Sequence, residues 1–377
     1  MLNDMKFFSL SGSRIALKKL DWILIGAVMI LCAISLLTLY SVNYGKPSFF
    51  YFTKQAAFIF LGLALMFVFS FFDFRLFKNQ PYFLIFLYII GLLLLVGVLL
   101  MPAPIRGARS WFQIGVLSFE PVEAIKLILI LILAKYFSSR HIEMYRARHI
   151  IASGLYVFLP AILVLAQPDL GSFMVLAFIW LGIILLAGIR PRHLIIVLLG
   201  AAMVFILAWF GALKTYQKER LLTFVNPQRD PAGASYNLIQ SKIAIGSGGL
   251  WGKGLGRGTQ GRLDFLPEKN ADFIFAAFAE EWGFFGVLFL LATYAVIFFR
   301  LIKIALKADN NFFRICASGI CLLFFSQVFI NIGVALGILQ ITGLSLPFVS
   351  YGGSGLLVNF ATLGIAQSII REINNTI

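Results

Sequence analysis

Apolar residues in this chain come in long runs separated by short polar breaks. Ten such runs lie at 22–42, 55–72, 82–101, 121–137, 150–166, 172–189, 194–213, 271–299, 312–337 and 354–370. A hydrocarbon core roughly 30 Å thick is crossed by about 20 apolar residues of helix. The pattern therefore predicts an all-α polytopic integral membrane protein with ten transmembrane helices, built as a single transmembrane domain over 1–377. Residues 1–21 form a basic N-terminal segment, and 214–270 form a long loop between helices seven and eight. The first run is too long for a signal-peptide core and lacks a small-residue cleavage site after it, so it is expected to stay as a span. A loop as long as 214–270 is usually functional. The glycines clustered from Gly246 to Gly261 suggest backbone folded closely against something, re-entrant where protein buries it.

Composition supports the same class. Apolar residues make up 60% of the 377 and charged residues 12%, whereas soluble domains average about 25% charged. A soluble enzyme, a disordered chain and a secreted scaffold are excluded. The formal net charge of +15 does not require nucleic acid, because basic residues collect in cytoplasmic loops. With the N-terminus inside, the cytoplasmic segments hold 15 Lys and Arg and the short outer loops 4. The long loop holds 9, but long loops are largely exempt from the rule. Both termini are thus expected in the cytoplasm. Cys32, Cys316 and Cys321 all fall within apolar runs, which excludes a disulfide framework in an outer loop.

Ionisable groups at membrane depth are costly, and their placement points to chemistry. Glu123, Asp169 and Asp272 fall at outer ends of spans in this topology. Each has a structural reading beside the functional one. Glu123 and Lys126, three apart on a helix, neutralise one another. Asp169 can N-cap the sixth span, and Asp272 can cap the eighth or sit at its positive end. Glu280 and Glu281 lie deeper and point about 100° apart, which favours a structural or switching role over catalysis. Lys135 at a cytoplasmic helix end is expected to snorkel. The stretch Tyr216-Gln217-Lys218-Glu219-Arg220 suits lipid headgroups in general or a diphosphate, for which Arg and Lys are the natural donors. Pro347-Phe348-Val349-Ser350-Tyr351-Gly352-Gly353-Ser354-Gly355 breaks the helical pattern before the last span, allowing backbone to approach an anion or another helix. His141, His149 and His193 are all on the cytoplasmic side, so a histidine-based outer site is excluded. The Gly252-x-Gly254-x-Gly256 spacing neither follows a strand nor opens a helix, so it does not indicate nucleotide binding.

Several ordered motifs carry a resemblance. Gly107-Ala108-Arg109-Ser110-Trp111-Phe112, Ser118-Phe119-Glu120-Pro121-Val122-Glu123 through Lys126, and Gln167-Pro168-Asp169-Leu170-Gly171-Ser172 resemble segments of the SEDS proteins (shape, elongation, division and sporulation). So do Asn226-Pro227 through Asp230-Pro231, Ala244 to Gly249 with Gly252-Lys253-Gly254, Leu266-Pro267-Glu268, Asp272-Phe273-Ile274-Phe275 and the 347–355 motif. Gly258-Thr259-Gln260 before Leu266-Pro267-Glu268 is more similar to the rod-shape branch, RodA, than to the division branch, FtsW. The resemblance runs from about Asp21 to the last span.

What the resemblance implies is a peptidoglycan glycosyltransferase of cell elongation, polymerising lipid II on the outer face of the cytoplasmic (inner) membrane. A class B penicillin-binding protein would crosslink the product, alongside other membrane proteins of the elongation complex, with no nucleic acid involved. By match to the family, Asp272 is the candidate general base, and Arg109, Trp111, Lys126, Asp169, Gln217, Lys218 and Arg220 are associated with substrate or activity. Glu123 and Ser350, within two of the motifs, complete the candidate substrate-binding set. Asn270-Ala271 stands where the family often has His-Thr, so neither an imidazole nor a hydroxyl beside the base is part of an essential relay. Glycosyl transfer needs an acceptor hydroxyl deprotonated and a departing diphosphate stabilised, with inversion at the donor sugar. A divalent cation, Mg or Mn, has a place on the diphosphate, though no metal-ligand spacing demands it. Two alternatives from other classes are a lipid II flippase or transporter and a non-catalytic scaffold for the transpeptidase. Phe284, Phe285, Phe298, Phe324, Phe325 and Phe329, on spans eight and nine, form a candidate partner surface.

Overall fold

The computed structural model describes residues 19–44, 49–101, 110–114, 117–138, 147–212, 218, 222, 235–266 and 268–376. In chain order its elements are α1 (Trp22–Val42), α2 (Phe50–Phe71), α3 (Arg75–Asn79), α4 (Pro81–Leu99), β1 (Phe112–Ile114), β2 (Leu117–Phe119), α5 (Pro121–Ser138), α6 (Ala147–Ala166) and α7 (Leu170–Leu186). There follow α8 (Pro191–Leu207) with a π-helical turn at Ala208–Ala212, α9 (Tyr236–Gly248), α10 (Thr259–Arg262), α11 (Ile274–Lys307), α12 (Asn311–Ala335) and α13 (Gly353–Thr376). Every one of the ten apolar runs is carried by a helix.

Seven described helices, α1, α2, α4, α6, α11, α12 and α13, are long and apolar enough to cross a membrane. The other three runs fall short for visible reasons. α5 spans 18 residues but carries Glu123, Lys126 and Lys135, while α7 and α8 have 17 residues each. The all-helical expectation also missed one small sheet. β1 and β2 form an antiparallel hairpin pairing Phe112 with Phe119 and Gln113 with Ser118.

The helices assemble around α12, which packs against α5, α7, α11 and α13. Its buried face is apolar except for Ser326, Gln327 and Asn331. At one end of α1, Asp21 caps the helix by accepting from the Leu24 N–H at 3.1 Å. Its other carboxylate oxygen pairs with Arg300 of α11 at 2.6 Å, and its own N–H donates to Gln367 of α13 at 2.8 Å. One buried acid thus ties three helices. Lys135, near the same end, donates to the Lys78 carbonyl.

The described second half of the long loop, from 235 on, folds back on the bundle. α11 is broken at Gly283, whose φ is +64°, and the chain leaving α9 lies in the break. Phe284 N–H donates to Gly249 O at 2.9 Å, and Phe285 N–H to Leu250 O at 3.2 Å. Lys253 and Gly254 N–H groups donate to the Glu280 and Glu281 carbonyls at 3.0 Å each. A Cβ on Gly283 would stand 2.3 Å from the Gly252 nitrogen, so only glycine permits this approach. Broken helix and irregular loop satisfy one another, as non-helical backbone in a membrane protein must be satisfied by protein. The Glu280 carboxylate, fully buried, completes the clamp: it accepts from the Thr259, Gln260 and Gly261 N–H groups and pairs with Lys253 at 2.6 Å. These bonds fit the structural side of the structural-or-switching reading that the offset of about 100° from Glu281 favoured over catalysis. Glu281 accepts from the Ser41 hydroxyl at 2.6 Å.

Candidate active site

A cavity of about 870 Å³ opens at the end of the bundle marked by Asn43, just past the C-terminus of α1. It is walled by the hairpin (Ser110, Trp111, Gln113, Ser118), the residues leading into α5 and α7, the segment 268–272, the turn 341–345 and the entry to α13. A smaller cavity of about 320 Å³, between Arg75, Lys78, Asp309 and Glu372, contains none of the candidate residues.

Six acids line the larger cavity: Glu120, Glu123, Asp169, Asp264, Glu268 and Asp272, with Asp264 paired to Lys269 at 2.7 Å. Glu123 sits in the first turn of α5, where its side chain accepts from the fully buried Lys126 ammonium at 2.7 Å. The Gln327 amide donates to its second oxygen at 3.4 Å. A buried carboxylate is tolerable only when paired and hydrogen-bonded, and α5 and α12 supply both. Asp169 is the N-cap of α7, accepting from the Ser172 N–H at 3.0 Å. Burial pushes its pKa up, while that cap bond and Lys126 pull it back.

Asp272 is held differently. α11 begins at Ile274 with Phe273 as its cap residue, so Asp272 is not the helix cap that the sequence allowed. Its position is set through three consecutive main-chain carbonyls. Tyr351 N–H donates to Asn270 O at 2.8 Å, the Ser350 hydroxyl to Ala271 O at 2.6 Å, and the Asn331 amide to Asp272 O at 3.0 Å. Asn331 also donates to Leu344 O at 2.7 Å. The 347–355 motif and α12 therefore fix the backbone that presents the carboxylate. The Asn270 side chain, in the place where the family often has histidine, accepts from Asn43 at 3.1 Å.

Of the candidate residues, Trp111, Glu123, Asp169 and Asp272 line this one cavity, and Lys126 lies buried behind it on Glu123. Ser350 does not reach the cavity wall as expected. It is 3% exposed, and its hydroxyl is occupied by Ala271 O and by the Leu346 N–H at 2.8 Å, which makes it a brace. Lys218 is half-buried and not part of the lining. Arg109, Gln217 and Arg220 lie outside the described residues. The proposed partner surface also needs correcting. Phe284, Phe285, Phe325 and Phe329 are exposed, but Phe324 is 1% exposed and packs on Phe348.

Sequence reasoning missed Glu120, Gln327 and Asn331. A signal existed for the last two: amides four apart in an otherwise apolar span share one helix face. Glu120 lies within one of the motifs, but no pairing or capping position in the sequence singles it out. Burial drives its pKa well above the carboxylate range, reinforced by the nearby charges of Glu123, Asp169 and Asp272 and opposed by Lys126. Among the described residues no group of three His, Cys, Asp or Glu is placed to hold a metal ion.

The family model of the cell cycle proteins FtsW, RodA and SpoVE matches residues 15–375. The peptidoglycan glycosyltransferase MrdB of Escherichia coli K12 is 42% identical over 311 residues, 82% of each chain. The stage V sporulation protein E of Bacillus subtilis is 34% identical, covering 93% of this chain and 97% of that one. Among solved structures, a chain from a peptidoglycan synthase complex that coordinates polymerization and crosslinking superimposes with a TM-score of 0.79 at 33% identity. It covers 94% of this chain and 98% of that one. The rod shape determining protein RodA of Thermus thermophilus gives 0.70 at 32% identity, covering 94% and 97%. This chain is a multi-pass membrane protein and belongs to the SEDS family of FtsW, RodA and SpoVE.

Proposed function

We infer that this protein is a peptidoglycan glycosyltransferase that polymerises glycan strands, with Asp272 as its general base. The observation that carries the reading is the placement of Asp272: it lines a cavity large enough for sugars on a backbone pinned at three successive carbonyls. Proximity and fixed orientation are what such a site must supply.

The donor is lipid II, a disaccharide-peptide on a polyprenyl diphosphate. In the proposed step the Asp272 carboxylate takes the proton of the acceptor sugar hydroxyl. That oxygen attacks the anomeric carbon of the donor and forms the new glycosidic bond. The bond from that carbon to the diphosphate oxygen breaks on the opposite face, and its electron pair leaves with the lipid diphosphate. One carboxylate suffices because a diphosphate departs without a general acid, unlike the sugar alcohol of a glycoside. Trp111 offers a flat apolar face for a sugar ring, and Arg109, Gln217, Lys218 and Arg220 are the proposed contacts of the anion. A divalent cation would travel on the diphosphate. The described residues offer no cage for one.

The cavity is assigned to the outer face of the cytoplasmic membrane, with both termini inside, on the distribution of Lys and Arg. The proposed partner is a class B penicillin-binding protein, whose transpeptidase would crosslink the strands. Support comes from the synthase complex whose chain shares this fold. Purified protein and partner supplied with lipid II should yield glycan chains. If no chains form while the complex is intact, the reading fails.

A further inference from the structure

We propose that Gln55 of α2 is a positioning residue for the base: through the Ser350–Tyr351 peptide group it holds the backbone that presents Asp272. The inference rests on the polymerase reading above. It brings into the site α1 and α2, which carry none of the candidate catalytic or substrate-binding residues.

Gln55 is fully buried, on the same face of α2 as Phe58, three residues on. Phe58 packs so closely on the start of α13 that a Cβ on Gly353 would stand 2.8 Å from its ring. That face of α2 is therefore turned to the 347–355 motif. A buried amide must be hydrogen-bonded, and the Gln55 nitrogen has two acceptors. It donates to Ser350 O at 3.1 Å and to the Ser35 hydroxyl of α1 at 3.0 Å. The Ser35 hydroxyl, also fully buried, donates in turn to Val349 O at 2.6 Å. The direction of this chain is forced. A carbonyl only accepts, and the Ser35 proton is already on Val349 O. Both partners thus need a donor from Gln55, and its amide nitrogen carries two.

The effect on the base runs through two peptide groups. A planar trans peptide points its C=O and its N–H in opposite directions. The oxygen of the Ser350–Tyr351 peptide accepts from Gln55, and its N–H donates to Asn270 O at 2.8 Å. The oxygen of the preceding peptide accepts from Ser35, and its N–H donates to Leu346 O at 2.9 Å. Two successive peptide planes are gripped on both sides, and one of them stands between Gln55 and the segment that carries Asp272. The turn needs this grip. Phe348, just before it, has a φ of +63°, a left-handed conformation that strains a bulky residue and persists only where its surroundings fix it. Its ring packs on Phe324 and Phe360, and the next two carbonyls are those held by Ser35 and Gln55. Without Gln55 the Ser350–Tyr351 plane loses one of its two anchors and tilts, carrying the backbone from Asn270 to Asp272 with it.

The test is polymerisation kinetics of the intact protein–partner complex on lipid II, with the melting of each variant followed beside it. Gln55→Met keeps an unbranched side chain and removes both donors. Its kcat should fall by about tenfold, since the base is displaced rather than lost, while KM stays within about twofold. Ser35→Ala, which deletes one hydroxyl of the chain, should lower kcat by about threefold in the same way. Added to Asp272→Asn, Gln55→Met should change the residual rate by no more than about twofold, because no base is left to position. A parental kcat in folded Gln55→Met would overturn this inference alone. So would a KM raised by as much as kcat falls, or a further loss of about tenfold on top of Asp272→Asn. If Gln55→Met does not fold, Ser35→Ala decides, and a parental kcat there overturns the inference. Absence of glycan from the parent would overturn the polymerase reading, and this inference with it.

Discussion

The Ser350 hydroxyl donates to the carbonyl of Ala271 at 2.6 Å, one residue before Asp272. The same oxygen accepts from the Leu346 N–H at 2.8 Å, so a single buried atom joins the turn before α13 to the segment that presents the proposed base. Ser350→Ala removes both bonds and leaves a buried carbonyl and a buried N–H without them, at a cost of about 1–3 kcal/mol. A base displaced by a fraction of an ångström also loses its alignment. The expected outcome is a kcat lower by about 10- to 100-fold with KM little changed. A parental kcat in a folded Ser350→Ala protein would mean that the brace does not set the position of Asp272.

The buried Lys126–Glu123 pair gives a second test, in which stability and activity separate. Lys126→Met leaves Glu123, 6% exposed, as an uncompensated buried charge, which costs about 3–5 kcal/mol. Adding Glu123→Gln removes that charge and should restore most of the melting temperature. Glycan synthesis should remain impaired in the double variant, because Lys126 is the buried cation whose charge bears on Glu120 and Asp169 in the cavity. Recovery of both stability and synthesis would assign the pair to folding alone.

The assignment of faces is checked by accessibility of introduced cysteines. Arg257 and Asp309 are both exposed, and Asp309 lines the smaller cavity remote from the active-site candidate. Arg257→Cys should react with a membrane-impermeant maleimide in intact cells, and Asp309→Cys only after permeabilisation. The native cysteines give little background, since Cys32 and Cys316 are buried and Cys321 is partly so. The reverse pattern would turn the cavity toward the cytoplasm and remove it from any lipid-linked substrate delivered outside.

Much of this architecture was legible in the chain because the signals are local. Uninterrupted apolar runs produce the helices, the Pro168-Asp169-Leu170 sequence produces the cap on α7, and a three-residue spacing produces the Glu123–Lys126 pair. The rest depends on partners far along the chain. Asp272 is not the helix cap that the sequence allowed, because Tyr351, Ser350 and Asn331 hold the backbone from Asn270 to Asp272 out of the helix. The break at Gly283 is readable only once Gly252 lies against it, and strands as short as Phe112–Ile114 and Leu117–Phe119 carry almost no periodicity. The three-residue spacing gives Glu123 its lysine, but only the fold brings Glu120 to the same cavity.

Asp272→Asn is the most direct test of the central claim. Asp272 does not cap α11, and the backbone bonds that fix it use main-chain carbonyls, so the amide should leave the fold and its partner surface intact. What it removes is a proton acceptor, a loss that typically costs about 10²–10⁴-fold in rate. Glycan synthesis from lipid II should therefore fall by about that factor in Asp272→Asn, while melting temperature and affinity for the partner stay parental. Parental synthesis by the folded, partner-bound variant would contradict the account and leave Asp272 without a catalytic role.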